Sequence, residues 1–267
     1  MNLFNEFLVI NILKPITIEN IVKTTIGEHI FIDSRFKGSE FSIYTINNIL
    51  FLFIIIYKNT SQYYIKHTMG IPSYYKKIIE EYPDIISSKL NNRDINYLLF
   101  DLNCAIHPCC SGKTDEKLMF ESIYCKIKEC IQLIKPIDII YLAIDGPAPR
   151  TKMEQQRQRR LKSYNEYKIW DTNQITPGTL FMEKLSIYLN SKTSTFGIKT
   201  IISDSNEPGE GEHKMMDYID TLPLNDTMCV YGLDADLIML SMIRDQPIYL
   251  LREKTEYNIE DMDDDYV

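Results

Sequence analysis

The stretch IIYLAIDGPAPRTKMEQQRQRR, Ile139 to Arg160, holds a strand, a turn and a helix in one reading. An apolar run ends on a carboxylate, Asp145, and a Pro-rich turn follows. After Thr151 no Gly, Pro or β-branched residue interrupts a series of helix formers. On that expected helix Lys152, Gln156, Arg159 and Arg160 stand at i, i+4, i+7 and i+8, which puts all four on one face. Three cations and an amide in one stripe suit a phosphate, with Arg supplying a planar fork. The ordinary alternative for such a run is a solvated basic face.

Working outward, the same alternation recurs. Upstream lie a helical stretch from about Ser73 to Leu90, the apolar run YLLFD (Tyr97 to Asp101), and a long helical segment from about Leu118 to Ile134. Downstream a helix is expected to open at ITPG (Ile175 to Gly178), with Pro177 in its first turn. Next come KTIIS (Lys199 to Ser203), the turn NEPGEGEHK with a helix to about Asp220, MCVYGLDAD (Met228 to Asp236) and PIYLL (Pro247 to Leu251). Apolar strands alternating with helices predict an α/β fold, a mostly parallel central sheet with helices on both faces.

Residues 1–68 differ from the rest, being rich in Ile, Asn, Phe and Thr and poor in acids. Their run ILFLFIIIY (Ile49 to Tyr57) is short for a bilayer span and too far in for a signal peptide. A buried strand, a segment outside the natural product and a membrane anchor are the three explanations, in that order. We expect an atypical extension over 1–68, from a misassigned start, and one domain over 69–267, with no membrane association.

The 267 residues carry a net charge of −8, which argues against indiscriminate coating of nucleic acid. It leaves room for a nucleic-acid enzyme, because carboxylates that hold metal ions add negative charge of their own. The six cysteines form no C-x-x-C pair and no zinc spacing, so they read as reduced, mostly buried thiols.

Several apolar runs end in Asp: Asp101, Asp145, and Asp234 with Asp236. In an open parallel sheet the carboxyl ends of the strands line one edge, where ligands bind. Glu210 and Glu212, opening the next helix, can reach the same edge. Six carboxylates gathered there would raise one another's pKa unless cations neutralised them. Oxygen ligands without a His/Cys set favour Mg²⁺ or Mn²⁺. Two such ions, about 4 Å apart, can activate water and stabilise a leaving oxygen.

These residues carry a family resemblance. MGIPSYYKKIIEEYP, LLFDLNCAIH, AIDGPAPRTKMEQQRQRR, ITPGTLFMEKL, EPGEGEHKMMDYI and YGLDADLIMLSM occur in that order over roughly Met69 to Glu253. Together they resemble the amino-terminal catalytic region of the Xrn/Rat family of 5′→3′ exoribonucleases. The resemblance implies a PIN/FEN-like nuclease core that degrades single-stranded RNA bearing a 5′ monophosphate, with divalent metal, to mononucleotides. It implies metal-ligand and catalytic roles for Asp101, Asp145, Glu210, Glu212, Asp234 and Asp236. It implies 5′-phosphate recognition by Lys152, Gln156, Arg159 and Arg160, and base stacking by His107, otherwise a polar side chain on a loop.

Family members begin at the position of Met69 and continue past Val267 to a further metal-binding Asp and a second region with a Trp. Trp170 does not lie in that motif, so the chain is expected to be truncated. The rival expectations are a FEN-like 5′ DNA nuclease and a catalytically dead RNA-binding remnant. The expected location is cytoplasmic, with the nucleus as the alternative.

Overall fold

The computed structural model describes residues 7–11, 83–87, 94–148, 153, 156, 157, 161, 170–234 and 236–253. These belong to a unit made of residues 1–15 and 79–267; residues 16–78 make a second unit, outside the described residues, as is the apolar run Ile49 to Tyr57.

The strands among the described residues are β1 (Phe7–Asn11), β2 (Ile86–Ser87), β3 (Tyr97–Asp101), β4 (Ile139–Ala143), β5 (Lys199–Ser203), β6 (Met228–Tyr231) and β7 (Ile248–Glu253). They form one sheet in the order β2-β1-β7-β6-β3-β4-β5. The five from β7 to β5 run parallel, and β1 joins antiparallel to both β7 and β2. The expected α/β architecture is therefore present, with a two-strand antiparallel edge that the sequence pattern did not announce.

The order has a consequence for binding. The chain builds outward from β3 through β4 to β5, then returns to the other side of β3 to lay down β6 and β7. Connections leave β3 and β6 in opposite directions, which makes their carboxyl ends the switch point of the sheet. Ligands of open α/β sheets bind at such a switch point.

The central strands are apolar throughout because both faces are covered. Leu98, Leu99, Phe100, Ile140, Leu142, Cys229 and Val230 are fully buried. The helices whose bounds fall among the described residues are α1 (Leu102–Cys110), α2 (Glu116–Ile134), α3 (Leu180–Lys192), α4 (Gly211–Ile219) and α5 (Asp236–Met242). In α2 the buried Met119, Phe120, Ile123, Ile127, Cys130, Leu133 and Ile134 follow a helical period. Asp115 caps its first turn by accepting from the Lys117 amide at 2.8 Å. Lys135 ends it in the left-handed region with φ 54°, and Pro136 blocks continuation.

Three expectations need correction. The helix placed at Ile175 to Gly178 starts later, at Leu180, with Thr179 as its cap. Gly178, at φ 84°, shapes the preceding turn instead. The helix expected to reach Leu90 is replaced at Pro83–Ile85 by a 3₁₀ turn and then by β2. Pro83 lacks the amide a helix interior needs, and the adjoining Ile85 and Ile86 favour a strand. The run Met228 to Asp236 is strand only to Tyr231, and Asp236 already belongs to α5.

Candidate active site

Three helices, α1, α4 and α5, begin at the carboxyl edge of the parallel strands. Helix N-termini favour negative charge, so acidic side chains there are partly stabilised by the backbone. That alone is an ordinary reason to find Asp at these positions. The behaviour of Asp101 goes beyond it.

Asp101 is the last residue of β3 and is only 5% exposed. Burial is the main cause that pushes its carboxyl up to about 7, and the charges of Asp145 and Asp234 push the same way. Hydrogen bonds from the Cys104 thiol and the Asn103 amide pull it down without prevailing. The Cys104 Sγ donates to Asp101 Oδ2 at 3.0 Å, and burial with that carboxylate keeps the thiol protonated. Asp101 is thus a buried carboxylate held against its own ionisation.

Asp145 follows β4 and is half-buried. Its Oδ1 accepts from the Gly211 amide at 2.7 Å, joining the end of β4 to the start of α4. Its own amide donates to Asn103 Oδ1 at 3.3 Å. Gly211 sits where the two carboxylates meet. A Cβ there would lie 3.0 Å from Asp101 Oδ1 and 3.4 Å from both Asp145 Oδ1 and the Ala143 carbonyl. Only a glycine leaves both oxygens open on this side. Gly146 is constrained as well, since an added Cβ would strike the Glu207 carbonyl. Gly146 donates to the Gly209 carbonyl at 2.8 Å and Gly209 to that of Pro147 at 3.2 Å, which locks the two loops together.

Glu210 and Glu212 flank Gly211. Glu210 is buried and Glu212 half-buried, and together with exposed His213 they offer donor atoms all within 4.8 Å of one another. Among the described residues this is the one group of three donors that close. The His213 ring lies 3.6 Å from Glu212 Oε1. It adds an imidazole that the oxygen-only reading did not include, although the adjacency in GEGEHK was visible. Asp234 is exposed in the loop after β6, close enough to raise Asp101. Asp236 is exposed in the first turn of α5.

Asp101 and Asp145 thus converge on Gly211, Asp234 adds its charge to theirs, and Glu210, Glu212 and His213 form the one close donor group among the described residues. Asp101 and Asp145, whose Oδ1 atoms converge on Gly211, and the Glu210, Glu212 and His213 group beside them offer donors of a kind that fits a divalent cation. His107 lies in the last turn of α1, on a helix and not on a loop. Partial desolvation lowers its pKa, while the charge of Asp145 acts to raise it. Of the basic stripe, Gln156 is helical and half-buried, with Met153, Arg157 and Leu161 also helical. Lys152, Arg159 and Arg160 lie outside the described residues.

Two residues of this region carried no usable signal in the sequence. Lys214 is 8% exposed, and its Nζ donates at 2.8 Å to the carbonyls of Ile144 and Asp204. It ties the end of β4, next to Asp145, to the end of β5. Burial lowers its pKa, while Glu207, Asp145 and Asp204 raise it. Arg252, on β7, is 1% exposed and donates to the main chain of the loop that carries Asp234.

A mostly parallel α/β sheet with acidic residues following several of its strands is the class of protein that the fold defines. The family model described as XRN 5′-3′ exonuclease N-terminus matches residues 69–169 and 164–254, and the chain belongs to that family. The 5′-3′ exoribonuclease 2 of Cryptococcus neoformans is 32% identical over 260 residues, covering 69% of this chain and 23% of that protein. The 5′-3′ exoribonuclease 1 of Saccharomyces cerevisiae is 36% identical over 230 residues, covering 71% of this chain and 15% of that one. The chain thus spans less than a quarter of the length of these relatives. Among solved structures, the catalytic core of Rad2 in complex with DNA substrate is a distant likeness. Its TM-score is 0.35 and its identity 16%, over 59% of this chain and 42% of that one. No helix among the described residues is long and apolar enough to cross a membrane.

Proposed function

We propose that this chain is the amino-terminal catalytic portion of a 5′→3′ exoribonuclease acting in RNA decay. Its substrate is single-stranded RNA with a 5′ monophosphate, and its products are mononucleotides. The observation that carries this reading is the buried Asp101 at the switch point of the sheet, its carboxylate converging with that of Asp145 on Gly211. Family membership and the exoribonuclease relatives support the choice of reaction.

Asp101, Asp145, Glu210, Glu212, Asp234 and Asp236 would hold two divalent ions, Mg²⁺ or Mn²⁺. Bound there, such ions supply charge stabilisation at the phosphodiester and a lowered pKa for attacking water. The residues themselves do the rest. Lys152, Gln156, Arg159 and Arg160 bind the terminal phosphate and so set which phosphodiester lies over the acidic edge. The ring of His107 stacks on the first base, a contact indifferent to sequence. A triphosphate or cap is refused by lack of room around the stripe. Lys214 and the Gly211 amide hold the start of α4 against the end of β4, keeping Asp145 aimed at the edge.

The test compares RNA carrying a 5′ monophosphate, a 5′ hydroxyl or a 5′ triphosphate at fixed Mg²⁺. The monophosphate is expected to be degraded fastest, and equal rates on all three would remove the role of the basic stripe. Preference for a duplex flap over single-stranded RNA would favour a FEN-like DNA nuclease. Asp234→Ala should stop cleavage and leave RNA binding intact.

A further inference from the structure

The loop from Gly232 to Asp234 carries one of the three interacting Asp residues, and the structure grips it from both sides. On one side the Leu233 amide donates to Cys104 Sγ at 3.4 Å, while the same sulfur donates to Asp101 Oδ2. On the other side the Arg252 fork donates through Nη2 to the Leu233 carbonyl and through Nη1 to that of Asp234, the latter at 3.2 Å. A continuous chain of hydrogen bonds thus runs from the Asp101 carboxylate through Cys104 and Leu233 to Arg252.

Arg252 is an unusual choice for this position. Its neighbours on β7, Leu250 and Leu251, are fully buried, and Arg252 itself is 1% exposed. Burying a guanidinium is unfavourable unless its donors find partners, and an aliphatic side chain would fill a sheet more cheaply. A planar fork, however, holds two successive carbonyls through two separate nitrogens at a fixed spacing, which an aliphatic side chain cannot do and an ammonium does without the fixed geometry. The loop has no secondary structure of its own to fix Asp234.

We infer that Arg252, with Cys104 opposite it, is a positioning residue that sets the separation of the Asp234 and Asp101 carboxylates. Neither touches substrate. They act on the donor atoms of the cation site, as partners of ligands do in metal proteins generally. This rests on the proposed cation role of Asp101 and Asp234, and the experiment separates the two.

Mn²⁺ binding to the full 267-residue chain is followed by electron paramagnetic resonance, and folding by thermal melting. Wild type, Asp234→Asn, Arg252→Lys, Arg252→Met and Arg244→Lys are compared. Arg244 pairs with Asp220 at the far end of α5, so its variant controls for loss of a partly buried Arg contact. Arg252→Lys and Arg252→Met are expected to raise the half-saturating Mn²⁺ concentration at least about 10-fold. Arg244→Lys should shift melting alone. Arg252 variants that melt lower yet bind Mn²⁺ like wild type would reduce Arg252 to a packing residue and overturn the inference. Should neither Arg252 variant fold, Cys104→Ala releases the same loop from the other side. It is expected to weaken Mn²⁺ binding several-fold, and unchanged binding overturns the inference equally. If Asp234→Asn binds Mn²⁺ as well as wild type, the cation role itself fails and the inference goes with it.

Discussion

Asp138 and Asp226 at the amino ends of the parallel strands and Asp101 at the carboxyl ends are held in opposite ways. At the amino ends Asn96 ties three elements together. Its Oδ1 accepts from the Thr227 amide at 3.0 Å and its Nδ2 donates to Asp138 Oδ2 at 2.8 Å. Asp226 accepts there from the Tyr97 hydroxyl at 3.2 Å. Asp138 and Asp226 each have a donor there and act as fasteners. At the carboxyl ends Asp101 is pushed to about 7 by burial, Asp145 and Asp234. Stability explains the first arrangement and is opposed by the second. Where local rules are broken without structural gain, a functional constraint is the natural cause.

The largest effect that would break this contrast belongs to Asp101→Asn. Mononucleotide release should fall on the order of 1000-fold, measured as single-turnover rate, because a group aimed at the reaction's charge is gone. Without metal, stability should move the other way. The folded pKa of Asp101 lies above its unfolded value of 3.8, so its favourable contribution is complete below that value. It is lost as pH rises through about 7. The wild type should therefore lose on the order of 4 kcal/mol between pH 4 and 8 from this group. Asp101→Asn should flatten that profile in thermal melts, and a profile unchanged by the substitution would erase the difference between the two ends.

Next in size is Lys214→Met. It strands the Ile144 and Asp204 carbonyls, and melting should report a loss of about 2–3 kcal/mol. Release should slow further than the unfolded fraction explains, since Asp145 loses its anchor. At the opposite end Asn96→Ala should lower stability by about 1–2 kcal/mol. Its cleavage rate per folded molecule should match wild type, and a slowed rate would mean the two ends are coupled. Smallest is Lys184→Ala, which opens the exposed pair with Glu116 at 2.7 Å. A change of about 0.5 kcal/mol or less is expected, with no change in rate.

The central sheet was legible because strands buried on both faces are written as short apolar runs, and β3 and β5 fall on the expected residues. Helix α1 was missed because it starts directly after Asp101 without a turn and is only nine residues long, with Pro108 in its last turn. Helix α5 was hidden inside what reads as one apolar stretch, and only the short loop that begins at Gly232 divides it from β6. The Asp residues were legible because strand-ending carboxylates recur. Lys214 and Arg252 were not, since a buried cation bound to carbonyls has the same letter as a solvated one. The imidazole of His213 stood beside two acids and was passed over because its donor role appears only when α4 is formed.

The most direct measurement is a calorimetric titration of Mn²⁺ into the metal-free chain at pH 7.5, beside the Asp101→Asn, Asp234→Asn double variant. Saturable binding of two ions per chain, lost in the double variant, is the predicted result. Equal heats from both proteins would contradict the placement of a cation site at the switch point.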